Sequence, residues 1–199
     1  RNSPVLKLSG LRLLPGEPES ALTQKAEKLL RTRIQGFLVL RRSLDARRDP
    51  VWIYTIAAET EHEDRVLRRC GRASKYVPDS YAFPCTRLRL ARPPVIVGTG
   101  PAGLFCGLML ARIGARPILL ERGEPVEART GTVEKFWNTG ELNPESNVQF
   151  GEGGAGSFSD GKLSTGVHDP RMQFILETFA ACGAPAEIRY DAYPHVGTD

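Results

Sequence analysis

A short glycine-rich turn is the clearest candidate for chemistry in this 199-residue sequence. The apolar, β-branched segment Val95–Val97 runs directly into Gly98-Thr99-Gly100-Pro101-Ala102-Gly103, and the apolar stretch Leu104–Ile113 follows. A strand, a glycine turn and a helix in this order predict a site for the diphosphate of a dinucleotide. We therefore expect five residues of the turn to hold the phosphates: Gly98, Gly100, Pro101, Ala102 and Gly103.

Each glycine of the motif has a separate expected role. Gly98 permits the tight turn, Gly100 lets the backbone approach the diphosphate, and Gly103 lets the helix pack closely on the strand. The N-terminus of the helix then faces the phosphates, where its N–H groups and the positive end of its dipole stabilise an anion.

An acidic residue follows at the distance that a ribose contact requires. The second predicted strand, residues 116–120, ends at Glu121, which lies 23 positions after Gly98. A carboxylate in this place accepts hydrogen bonds from ribose hydroxyls and repels a 2′-phosphate. The strand, the helix and the acid together make the motif more specific than its glycines alone.

A second glycine-rich segment, Gly151–Lys162, favours FAD over NAD. Its main-chain N–H groups are not shielded by side chains, so Gly153 and Gly154 are expected to reach a second face of the phosphates or the edge of a flavin. By itself the segment is also consistent with a flexible surface loop. Gly107 and the long polar stretch after Glu121 also favour FAD. An NAD-binding oxidoreductase stays the alternative.

These residues resemble a known family, the mostly uncharacterised FAD-dependent dehydrogenases of the glutathione-reductase-like flavoprotein superfamily. Ser146–Leu163 is the most specific stretch, with Ser157 where the family is expected to carry Thr. Arg42–Arg47 is similar to the small leading domain of that family. The other matching signatures are Val95–Gly103 with Leu110-Ala111, Leu119–Gly123, Phe136-Trp137 and Pro194–Asp199.

The resemblance implies bound FAD and a two-electron oxidoreductase whose small-molecule substrate or electron partner is unassigned. It also implies that the sequence is the amino-terminal portion of a longer chain. Lys162 is a candidate cation near the flavin edge, with an exposed loop lysine as the alternative. Arg122 and Arg129 are candidates to offset phosphate charge, although a surface position is the expectation for Arg129. No catalytic residue is assigned.

Charge and pattern predict two domains. Residues 1–92 hold 19 Lys and Arg against 10 Asp and Glu, whereas residues 93–199 hold 8 against 13. The first part predicts a strand at Val5–Leu13, in which apolar and polar residues alternate, and then a helix with Leu22, Ala26, Leu29 and Leu30 on one face. Two further strands and a second helix follow, with a last strand expected before Pro93, and residues 71–94 are the expected linker. Farther along the chain, Asp169, Pro170 and Gly183 delimit a predicted amphipathic helix. The predicted α/β fold is therefore a small basic ferredoxin-like α+β domain with its linker at 1–90, followed by the amino-terminal part of a Rossmann-type FAD-binding domain at 91–199.

The basic first domain also raises an alternative of another class, a nucleic-acid or acidic-partner binding module. The doublets Arg41-Arg42, Arg47-Arg48 and Arg68-Arg69 carry its charge. Aromatic residues for base stacking are not interleaved with them, so a nucleic-acid ligand is disfavoured.

Other classes are excluded by pattern. No apolar run approaches the roughly 20 residues of a membrane span. The four cysteines and three histidines are too scattered for a metal site, and no signal-peptide core is visible, so the prediction is a cytoplasmic protein without metal.

Overall fold

The computed structural model describes residues 5–61, 63–78, 81–83 and 87–197. The chain divides into two compact units, Arg1–Tyr81 with Leu163–His195 and Ala82–Lys162 with Val196–Asp199. This packing differs from a single division near residue 91, since Leu163–His195 belongs with the first unit. The fold is mixed α/β, with one antiparallel sheet and one small parallel sheet.

The first unit contains a four-stranded sheet. Its elements are β1 (Val5–Leu13), α1 (Ala21–Leu30), β2 (Gly36–Asp45), β3 (Val51–Glu59), α2 (Glu63–Arg69) and β4 (Ala73–Lys75). The strands lie in the order β2-β3-β1-β4 and all neighbours are antiparallel. This is the order of a split β-α-β unit. The last strand lies inside the segment 71–94, which the sequence suggested was linker.

A continuous apolar core lies between this sheet and its helices. Gly10, with φ of +76°, forms a bulge in β1, so that the leucines before and after it face the same side. Leu29 was expected to point inward with α1 but is 38% exposed. The core residues are Leu6, Leu8, Leu11, Leu13, Leu22, Ala26, Leu30, Val39, Tyr54, Ile56, Ala58 and Val66.

The second unit contains β5 (Val95–Val97), α3 (Pro101–Arg112), β6 (Ile118–Leu120) and α4 (Val126–Thr139). β5 and β6 are parallel, with Ile96 opposite Leu119. Helix α3 begins three residues earlier than its apolar pattern indicates, because Pro101 suits the first helical position. Strand β6 begins after Arg116, whose φ of 52° is incompatible with an extended strand.

The later part of the first unit contains α5 (Arg171–Ala181), as the pattern of Asp169, Pro170 and Gly183 predicted. After this helix, the chain pairs with the edge of β2. Arg42 N–H donates to Tyr190 O at 2.8 Å, and Ala192 N–H donates to Arg42 O at 2.8 Å. Within the described residues, every helix is too short or too polar to cross a membrane.

Candidate functional site

The glycine motif forms a tight connection between β5 and α3. Gly98 has a φ of +93°, and its N–H donates to Leu120 O at 2.7 Å, which ties the turn to the end of β6. Gly100 is extended and precedes the first helical residue, Pro101. A helix leaves its first N–H groups without intrahelical partners, so this turn presents main-chain donors at the end of the small parallel sheet.

Gly100 and Gly103 differ in what surrounds them. A Cβ on Gly103 would lie 2.0 Å from Gly98 O, so only glycine allows α3 to approach the turn this closely. A Cβ on Gly100 would meet no protein atom within 4 Å. Gly103 is therefore required for packing, whereas Gly100 borders open space.

Glu121 is held against the turn by three hydrogen bonds. Its Oε2 accepts from Thr99 N–H at 2.6 Å and from the Thr99 hydroxyl at 2.9 Å. Its Oε1 accepts from Gly123 N–H at 2.9 Å. The bonds from Gly123 and Thr99 lower the pKa of Glu121, although partial burial opposes them. The main-chain N–H of Arg122 also contributes to lowering this pKa.

The second glycine segment packs directly on the first turn. Gly153 N–H donates to Thr99 O at 2.9 Å. A Cβ on Gly154 would lie 3.1 Å from Pro101 Cδ and 3.4 Å from Gly100 Cα. Both glycines have positive φ, which suits residues without a side chain. The structure thus brings Gly153 and Gly154 to the turn that contains Gly98–Gly103.

Arg129 holds the second glycine segment in place. The expectation of a surface position for this residue was wrong. Its side chain lies on α4 and is fully buried. The guanidinium donates to Asn147 O at 2.8 Å, Val148 O at 2.8 Å and Gly154 O at 2.9 Å, and also to the carbonyl of Glu152. Burial lowers the pKa of Arg129, but an arginine stays charged in proteins.

Two other predicted residues make their contacts elsewhere. Arg122 lies over the Phe150 ring, 4.6 Å from its centroid, and is 3.4 Å from a carboxylate oxygen of Glu145. Lys162 forms an exposed ion pair with Asp160 at 2.7 Å. Their expected roles toward phosphate and flavin stay predictions.

The role of Thr99 was not recognised from sequence, and Arg129 was named only as a candidate to offset phosphate charge, not as a buried residue. Thr99 is an unspecified position of the glycine motif, yet its main chain and hydroxyl join Glu121 to the turn and its carbonyl anchors Gly153. Arginine is rarely buried, so composition favours an exposed side chain at position 129. Two of the carbonyls to which Arg129 donates, those of Glu152 and Gly154, lie 23 and 25 positions away in sequence. No local sequence pattern reveals these bonds.

Comparison with known proteins adds two findings. Residues 6–59, which span β1 to β3, match the model of a domain of unknown function (DUF8436). The chain is similar to an uncharacterized protein of Clostridium beijerinckii, with 63% identity over 106 residues. That alignment covers 53% of this chain, and the chain spans about a fifth of the length of this curated relative.

Proposed function

We propose that this chain is the nucleotide-binding portion of an FAD-dependent oxidoreductase with a Rossmann-type FAD-binding domain. The observation that carries the proposal is the joint geometry of the two glycine segments and Glu121. Gly98–Gly103 offers main-chain donors for a diphosphate, and the Glu121 carboxylate, the group expected to accept from a ribose hydroxyl, lies against the same turn.

The free space at Gly100 fits such a ligand. A Cβ at this position would project into space that no protein atom occupies within 4 Å, as a diphosphate approaching the backbone requires. Gly153 and Gly154 border the same turn and limit the space from a second side. When bound, FAD would supply the two-electron chemistry, while these residues bind and orient its diphosphate and ribose.

The packing of the second glycine segment favours FAD over NAD. An NAD site of this type needs only the first turn and the acidic residue, whereas here a second segment of small residues is held against the first by Arg129 and Thr99. The carboxylate of Glu121 favours a free ribose over a 2′-phosphate for either cofactor.

The basic first unit is less suited to binding nucleic acid, because two of its arginines already have acidic partners. Arg42 forms a bidentate pair with Asp191, and Arg47 pairs with Asp45 at 2.8 Å. Trp52 and Tyr54 lie beside Arg42 and the core rather than among exposed arginines. Retention on RNA that disappears at high salt and after removal of residues 1–90 would favour the alternative of a binding module.

The cofactor assignment is tested by the visible spectrum of the intact purified protein. We expect a flavin spectrum, and release of FAD on denaturation. A colourless protein that binds NAD would favour the alternative oxidoreductase. A protein that retains neither would contradict the proposal.

Gly100→Val provides a sharper test of the site. The new side chain enters open space, so the fold should persist, while the approach of the diphosphate is blocked. Gly131→Val is a matched control, because Gly131 also has open space around it but lies within α4. Loss of FAD from the first variant alone is expected, and an unchanged FAD content there would overturn the phosphate assignment.

A further inference from the structure

We infer that Arg129 is a positioning residue that makes the second glycine segment a positively charged wall of the diphosphate site. The site would therefore distinguish an anionic nucleotide from the corresponding neutral nucleoside. This inference rests on the proposed function and concerns the same site.

The first observation is the way the guanidinium is held. Arg129 is fully buried, and its four hydrogen bonds all go to main-chain carbonyls of residues 147–154. A Cβ on Gly151 would lie 2.5 Å from Arg129 Cδ, so the segment wraps around the arginine side chain. The Phe158 ring lies 4.8 Å from the guanidinium carbon and covers it further.

The second observation concerns charge. The described hydrogen bonds of Arg129 satisfy its donors with neutral carbonyl dipoles and none of them reaches a carboxylate. The carboxylate of Glu121 interacts favourably with this charge, but burial has the larger effect and lowers the pKa of Arg129. Burying a cation is costly, and bonds to neutral carbonyls repay only part of that cost. An anion bound close by would offset more of it.

The third observation is where the charge lies. Arg129 donates to Gly154 O, and Gly154 itself packs on Gly100 and Pro101 of the first turn. Gly154 thus contacts both the guanidinium and the turn that contains Gly100. Arg129 is covered by the segment it holds, so it acts on a ligand through its field and through the position of Gly153 and Gly154, not by contact.

These two effects can be separated by the choice of ligand together with the choice of variant. Misplacement of the glycine segment weakens the binding of a diphosphate in Arg129→Gln and in Arg129→Lys alike, because both lose the fork of donors, whereas only Arg129→Gln also loses the charge. ADP and adenosine share the base and ribose and differ in the diphosphate. The ratio of their affinities measures the contribution of the diphosphate, and the difference in that ratio between the two variants measures the contribution of charge.

The experiment compares ADP and adenosine in the intact protein and in variants, by competition for the FAD site. For Arg129→Gln we expect the preference for ADP over adenosine to fall about tenfold, the scale of one charge interaction near a protein surface. Arg129→Lys should keep more of the preference than Arg129→Gln, because it also loses the fork of donors but retains the charge. Lys135→Gln removes a charge from an exposed ion pair on the same helix and should change neither affinity.

The outcomes separate this inference from the proposed function. An unchanged preference in Arg129→Gln, or a lost preference in Arg129→Lys, would overturn the inference while FAD binding by the wild type still stood. If Arg129→Gln does not fold, the Arg129→Lys result decides. A wild-type protein that binds neither ADP nor FAD would overturn the proposed function and this inference with it.

Discussion

The two units bury different kinds of groups. In the first unit, twelve apolar residues form one core between an antiparallel sheet and its helices. In the second, the buried residues include Thr99, Arg129, Ser146 and Asn147, and close packing depends on glycines. The core of the first unit is thus mainly apolar, whereas the buried groups of the second unit include several that need hydrogen-bond partners.

The contrast extends to the sheets. The apolar side chains of the small parallel sheet are exposed, with Val97 at 84% and Leu120 at 52%. Parallel sheets are normally covered on both faces. Among the described residues, the sheet of the second unit therefore has less apolar surface buried than the sheet of the first unit.

The two tryptophans allow each unit to be followed separately. Trp52 lies in β3 of the first unit, and Trp137 lies in α4 of the second. Trp137→Phe leaves fluorescence from the first unit alone, and Trp52→Phe leaves that of the second. Denaturant titrations in these two backgrounds report the free energy of unfolding of each unit.

The largest expected effect comes from a cavity in the first unit. Leu8→Ala removes a fully buried side chain at the centre of the sheet, and should lower the free energy of unfolding seen by Trp52 by about 3 kcal/mol. Leu38→Ala in β2 is the control, since Leu38 is 63% exposed and should cost far less. Equal losses in the two variants would mean that the first unit does not depend on this core.

Gly103→Ala should lower the free energy of unfolding of the second unit, followed by Trp137 fluorescence, by about 2 kcal/mol. In Gly103→Ala the new Cβ collides with Gly98 O, a backbone atom that cannot move without opening the turn. Gly131→Ala is matched, because it also lies within a helix but has open space, and it should raise stability by about 0.5 to 1 kcal/mol. Effects of the same sign in both variants would contradict the close approach of α3 to the turn.

One ion pair in each unit allows a further comparison of the two units, with smaller expected energies. Arg42 and Asp191 are each about three-quarters buried and form two bonds of 2.6 and 2.8 Å, so a double-mutant cycle should give a coupling of about 1 kcal/mol in the Trp52 background. The exposed pair Lys135 and Glu141 in the second unit should give about 0.3 kcal/mol or less. A larger coupling for the exposed pair would reverse the expectation.

The smallest expected effect is a local response to acid at Glu121. Its pKa is lowered from 4.5, so its stabilisation of the turn is fully present above that value and is lost as the pH falls through the lower pKa of the folded state. The amide signals of Thr99 and Gly123 should report this change in an NMR titration. In Glu121→Gln, the same signals should not titrate in this range, and persistence of the transition would assign it to another group.

Much of the local structure was predictable because it depends on neighbouring residues. The bounds of β1 and β5 follow from short runs with strand propensity, and the strand, turn and helix around Gly98–Gly103 follow from glycine spacing. Boundaries were wrong where backbone conformation intervened, as at Arg116 before β6. The expected linker was wrong in part, because β4 is only three residues long and gains its place by pairing with β1.

The sequence by itself determined the glycine turn, the acidic residue after β6 and the alternation that forms the core, since each depends on residue type and spacing within one or two elements. Only the tertiary structure decided that Arg129 is buried, that Gly153 and Gly154 rest on the first turn, and that Arg42 pairs with Asp191, 149 positions away. The physical reason is that a charged side chain or a flexible glycine segment has no preferred surroundings of its own. Its place depends on donors and acceptors that distant parts of the chain provide.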